Sequence, residues 1–122
     1  MIDWGRLITA EDKFEQGKVR KLEEIAAARW TQETAPFWYE PKGASFDTSE
    51  RSQVKYIRAY EKGEAQIWKT VDAGWVEMKQ ADFAGLIGAY EMFVASLFAK
   101  EAGLQTLVDE AQSVRDLDKI SW

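Results

Sequence analysis

WKTVDAGWVEM, residues 68–78, runs almost directly into the apolar stretch that begins at Gln80, and the reading of this join decides the fold. Residues 67–71 and 75–78 are two short strands with Asp72-Ala73-Gly74 between them. A three-residue loop with glycine last fits a type I turn closed by a glycine bulge. That register sets Val71 opposite Trp75, Thr70 opposite Val76, Lys69 opposite Glu77 and Trp68 opposite Met78. It makes Lys69 and Glu77 an opposite-charge pair and puts Trp68, Val76 and Met78 on one core-facing side. Beyond the hairpin, Phe83, Leu86, Ile87, Tyr90, Phe93, Val94, Leu97, Leu104, Leu107, Val108 and Ala111 recur at spacings of three and four. The period is that of a helix, from about Gln80 to Gln112, with one broad apolar face. Its other face is small and nearly uncharged: Ala81, Gly85, Gly88, Met92, Ala95, Ala99 and Ala102. Glycine inside a helix costs roughly 1 kcal/mol relative to alanine. Gly85 and Gly88 are therefore read as a place of close approach, by the N-terminal helix or by another subunit.

Upstream, Thr9 and Asp12 have the spacing of a capping box, which starts a helix that Pro36 ends near Thr34. Phe14, Leu22, Ile25 and Trp30 give that helix only a narrow apolar seam. Phe37-Trp38-Tyr39, then Pro41, Lys42-Gly43 and Ala44 to Phe46, read as a small hairpin whose alternation sends Trp38 to the side opposite Phe37 and Tyr39. Asp47 with Glu50 is read as the cap of a second helix, which Gly63 closes. Ser113 with Asp116 opens a short terminal helix through Leu117 and Ile120, and the sequence stops at Trp122. The fold class expected is α+β: an N-terminal helix, small β-hairpins, and a long apolar C-terminal helix followed by a short terminal one. The 122 residues suit a single domain, with an extended arm at 1–8, the N-terminal helix at 9–35 and an α+β body at 36–122.

Composition narrows the function classes. There is no Cys and no His, which removes disulfide scaffolds, thiolate metal sites and nearly all nucleophile–His pairs. The net charge is −5, and the only basic grouping is Lys18, Arg20 and Lys21, so nucleic-acid binding is not expected. The acidic grouping Asp109, Glu110, Asp116 and Asp118 reads as solvated surface, and no loop has the form of a calcium site. Catalytic, cofactor-binding and metal-binding residues are therefore expected to be none. Met1 is followed by Asp3 and a polar helix instead of a leader's apolar segment, which points to the cytoplasm. A membrane-associated helix over 81–99 is the first alternative. Its seventeen most apolar residues rise only about 26 Å, and Glu91 lies at their centre, where lipid burial is costly. The second alternative is a carbohydrate-binding module that uses exposed aromatic rings.

A family resemblance goes further. Asp3-Trp4 with Leu7 to Glu11, Phe46-Asp47-Thr48 leading into a helix, Trp68, Gly74-Trp75-Val76, Phe83, the helix carrying Phe98, Glu101 and Leu104, and finally Leu117, Ile120 and Trp122 stand in one order over most of the chain. In that order they resemble a small domain of unknown function found in bacteriophage and prophage tail and tail-fibre-associated proteins. Where that family often has a polar pair with His, this chain has Met92-Phe93. The resemblance implies a virion component or tail-fibre assembly factor, in the host cytoplasm during assembly or in the virion tail. It implies a phage tail or tail-fibre protein as partner, with homo-oligomerisation natural, and neither catalysis nor a cofactor. Six Trp in a chain this short exceed what one small core readily encloses. Trp4, Trp38 and Trp122 are the rings expected at an interface, with Gly85 and Gly88 as a second candidate surface.

Overall fold

A computed structural model describes residues 9–122, and its elements follow the α+β order read above. Helix α1 spans Ala10–Thr34, strands β1 (Phe37–Tyr39) and β2 (Ala44–Phe46) flank a 3-10 turn at Glu40–Lys42, and helix α2 spans Glu50–Lys62. Strands β3 (Gln66–Lys69) and β4 (Trp75–Met78) then lead into helix α3 (Gln80–Glu110) and the short helix α4 (Val114–Asp118). The strands form two separate antiparallel pairs, β1 with β2 and β3 with β4. The expectation for the arm at 1–8, Trp4 included, lies outside the described residues.

Local chemistry accounts for most of the element ends. The Thr9 amide donates to Asp12 Oδ2 at 3.2 Å and the Asp12 amide donates to Thr9 Oγ1 at 3.0 Å. This is the reciprocal capping box, which satisfies two of the amides a helix start leaves open. Pro36 follows α1 and cannot extend it. Gly63 takes the left-handed conformation, φ 76°, and its amide donates to the Ala59 and Tyr60 carbonyls, closing α2. At the start of α3 the Asp82 carboxylate accepts the Lys79 amide at 2.8 Å.

Two positions depart from the sequence reading. The cap of α2 is Ser49, whose side chain accepts from the Ser52 amide. Asp47 instead receives the hydroxyls of Ser49 and Ser52, each at 2.5 Å. In the second hairpin Trp68 faces Val76 and Lys69 faces Trp75, two residues away from the register expected. The cause is Thr70. Its amide and its hydroxyl both donate to the Gly74 carbonyl at 2.8 Å, and the hydroxyl also accepts the Ala73 amide at 2.9 Å. The loop therefore closes between Thr70 and Gly74. Val71 leaves its own ladder to donate to the Ser45 carbonyl at 2.8 Å, and Asp72 Oδ1 accepts the Ser45 amide at 2.7 Å. The Lys69–Glu77 pair is thus not directly opposed; Glu77 faces Ile67.

The chain divides into two compact units. The one formed by Thr31–Leu97 holds both hairpins, α2 and much of α3. Its core is Ala44, Phe46, Tyr56, Ala59, Met78, Phe83 and Leu86, with Phe37, Tyr39, Trp68 and Val76 packed against it. Rings meet edge to face through this cluster, Tyr39 on Phe46 at 6.2 Å and Trp68 on Phe83 at 5.0 Å, the arrangement that aromatic quadrupoles favour. The other unit combines the described residues up to Trp30 with Phe98–Trp122. There Ile25, Val108, Ala111, Leu117 and Ile120 are buried, flanked by Phe14, Leu22, Leu104 and Trp122. Arg29 pairs with Glu101 at 3.2 Å and stacks over Phe98.

Candidate functional site

The alternation of the strands sorts the hairpin residues into two sets. Phe37, Tyr39, Ala44 and Phe46 on the first hairpin, with Trp68, Val76 and Met78 on the second, belong to or pack on one core. Their neighbours in sequence must turn away from that core. Trp38 is 54 % exposed, Ile67 62 % and Trp75 66 %, and Val71 in the adjoining loop is exposed as well. Trp38, Ile67 and Trp75 thus stand in solvent on strands, and Val71 does so in the loop beside them. The Val71 and Asp72 bonds to Ser45 tie one hairpin to the other. Neither exposed ring belongs to the core of this unit, and large exposed apolar groups on a small domain mark contact surfaces.

The other residues singled out fare differently. Trp122 is half-buried, packs on the Ile25 cluster and lies under the Lys100 ammonium at 4.5 Å from the ring centre. Its indole nitrogen is buried without a hydrogen-bond partner among the described residues. Gly85 is approached, but by a side chain of its own unit: a Cβ there would overlap the Tyr39 hydroxyl. A Cβ on Gly88 would meet nothing within 4 Å. Trp38 alone among the described candidates is an exposed ring, and Trp75, also exposed, was not among them. The signal for Trp75 was present, since any register that puts Trp68, Val76 and Met78 on the core side puts Trp75 on the other. Of the Met92-Phe93 pair, Met92 is 75 % exposed, while Phe93 packs against Phe37 with ring centres 5.4 Å apart.

The electrostatics of the unit Thr31–Leu97 are structural in character. Hydrogen bonds from the Ser49 and Ser52 hydroxyls hold the Asp47 carboxyl below its ordinary range. The Lys79 amide, helped by the Lys42 ammonium 3.0 Å away, does the same for Asp82 against an opposing push from burial. Burial, with the nearby Asp47 charge, pushes the Tyr56 hydroxyl up to about 12. Burial also raises Tyr90, whose hydroxyl donates to the Glu33 carbonyl at 2.7 Å. Among the described residues, no three His, Cys, Asp or Glu side chains are grouped so as to hold a metal ion.

Residues 16–121 match the family model described as "Domain of unknown function (DUF4376)", and the chain belongs to that family. No curated protein and no solved structure matches it.

Proposed function

We propose that this member of the DUF4376 family is a structural or assembly component of a phage or prophage tail, acting by binding another protein and not as a catalyst. The observation that carries the reading is the outward side of the two hairpins, where Trp38, Ile67 and Trp75 are each more than half exposed. Aromatic side chains on a rigid support lose little conformational entropy on contact and are the usual anchors of interfaces. The tail context is supported by the resemblance alone. Of the residues that carry it, Phe83, Leu117 and Ile120 are buried and speak for the fold. Trp75 serves neither core, so its place in the pattern supports a role in binding.

The test is co-expression with a tail-fibre protein encoded beside this chain, followed by size-exclusion and calorimetry. A complex is expected, weakened about 30-fold or more by Trp75→Ala or Trp38→Ala, the threshold of an interface hot spot at about 2 kcal/mol. Metabolic genes on both sides of its own would remove the tail context. A complex indifferent to both substitutions would remove the hairpins from the interface.

One observation favours a second reading. Helix α3 is long and apolar enough, by length and composition, to cross a membrane, and only 17 % of its most apolar window is buried. Against it stand Phe83 and Leu86, which fill the hairpin core, and Glu91, which would be carried into lipid. Flotation with liposomes separates the two: a chain that stays with the aqueous fraction fits protein binding, and one that floats fits membrane association.

A further inference from the structure

Within the unit Thr31–Leu97 a cleft with a cavity volume of about 50 Å³ opens onto the core between the first hairpin, α2 and α3. The rings of Phe37, Phe46, Tyr56 and Tyr90 line it together with Leu86. Its neutral polar groups are already engaged. The Tyr56 hydroxyl donates to the Asp47 carbonyl at 2.6 Å, Thr48 Oγ1 to the Ala35 carbonyl at 3.2 Å, and Gln53 Nε2 to the Thr48 carbonyl at 2.8 Å. Its charged groups are not neutralised. Asp47 and Glu91 are both lining residues, no Lys or Arg lines the cleft, and neither carboxylate has a cationic partner among the described residues. Asp47 accepts the hydroxyls of Ser49 and Ser52, both at Oδ2, and the Ser49 and Thr48 amides also act on its carboxyl, but none of these groups carries a positive charge.

Size decides what kind of occupant fits. A dry cavity of about 150 Å³ holds one benzene, so a cavity a third as large cannot enclose a free ligand of ordinary dimensions. It can take part of one side chain that a larger molecule presents. Charge decides which side chain. A lining of aromatic rings with two acidic residues that have no cationic partner suits an apolar stem that ends in a delocalised cation.

We infer that this cleft receives a single arginine side chain of a protein partner, the methylene stem against the rings and the guanidinium at Asp47 and Glu91. The planar guanidinium can stack on a ring face and donate to a carboxylate at the same time, which an ammonium does less well. The chain's net charge of −5 draws a basic segment toward it. The site is separate from the outward hairpin rings, so it stands whether or not the partner is a tail protein.

The test needs no partner. N-acetyl-arginine amide is titrated into the intact protein up to tens of millimolar, with amide and methyl shifts followed by NMR and N-acetyl-citrulline amide as the neutral isostere. Saturable shifts confined to residues around Tyr56, Leu86 and Tyr90 are expected, with none from citrulline amide. Binding should fall at least fivefold in Glu91→Gln and in Asp47→Asn. Glu91 is exposed and unpaired, so its variant keeps the fold even where the Asp47 change perturbs the start of α2. Equal shifts from the citrulline compound, shifts scattered over α1 and α4, or unchanged affinity in Glu91→Gln would each overturn the assignment.

Discussion

Gly85→Ala sets two effects of opposite sign against each other at one carbon atom. In an open helix the change adds about 1 kcal/mol of stability, because alanine loses less backbone entropy than glycine. At this position the new Cβ would overlap the Tyr39 hydroxyl and lie 3.4 Å from Cζ of the same ring. Swinging the phenol aside would relieve it at little cost if the ring were free, but Tyr39 is wedged edge to face against the buried Phe46. Overpacking of that kind costs about 1 to 3 kcal/mol. The net expectation is a loss of up to about 2 kcal/mol, in place of the usual gain. Tyr39→Phe removes the overlapping oxygen and leaves Cζ at an ordinary contact distance. Since the hydroxyl has no hydrogen-bond partner among the described residues, that change alone should be nearly neutral. In the Phe background Gly85→Ala should therefore recover its gain of about 1 kcal/mol, a coupling of about 1 to 3 kcal/mol across the cycle. Urea unfolding of the four proteins, followed by circular dichroism with m-values compared, measures it. A Gly85→Ala substitution that stabilises equally in both backgrounds would refute the claim that Tyr39 covers this turn of α3.

Leu97 is 5 % exposed, so Leu97→Ala should cost about 2 to 5 kcal/mol, and amides from Leu86 to Leu97 should exchange far more slowly than those of the first turn of α1. Tyr56 gives an alkaline prediction: its hydroxyl, raised from 10.0 to about 12, stays protonated in the fold after it has ionised in the unfolded chain. Stability from this group is whole below pH 10.0 and is lost as pH rises toward about 12, a total of about 3 kcal/mol at 1.36 kcal/mol per unit; in Tyr56→Phe that portion of the pH dependence should vanish. Asp82 works in the opposite direction, since its folded value lies below 3.8: its contribution is present above that pH and fades as pH falls through the folded value. Asp82→Asn should therefore be less stable than the parent at neutral pH and should converge with it in strong acid, as read from thermal melts.

What the sequence made legible was whatever is decided within one turn of chain. The Thr9–Asp12 box, the glycine that closes α2 and the onset of α3 near Asp82 each depend on residues three or four apart, and these positions came out as read. The cap of α2 moved from Asp47 to Ser49 because two oxygen-bearing side chains competed for one role, and the Ser49 and Ser52 hydroxyls gave Asp47 another. Gly85 was legible as a close approach, but the approaching group comes from Tyr39, more than forty residues away, and nothing local names it.

The second hairpin shows why an error in register can leave a core intact. The expected pairing was displaced by two residues, because a Thr70 hydroxyl bonding to Gly74 shortened the ladder at the loop. Side chains on a strand alternate with a period of two, so a slip of two changes each residue's partner and not its face. Trp68, Val76 and Met78 therefore remained on the core side, while the Lys69–Glu77 pairing, which depends on partners, was lost. The same arithmetic fixes Trp75 outward under either register. Its exposure is thus a consequence of the core pattern, secured before any loop detail is settled. The cleft has no such local guarantee. Its walls come from β1, β2, α2 and α3, and the acidic residues in its lining lie forty-four positions apart, at Asp47 and Glu91. Whether two acids so far apart in sequence share one unneutralised site depends on tertiary packing, because only packing decides which basic residues are kept away from them.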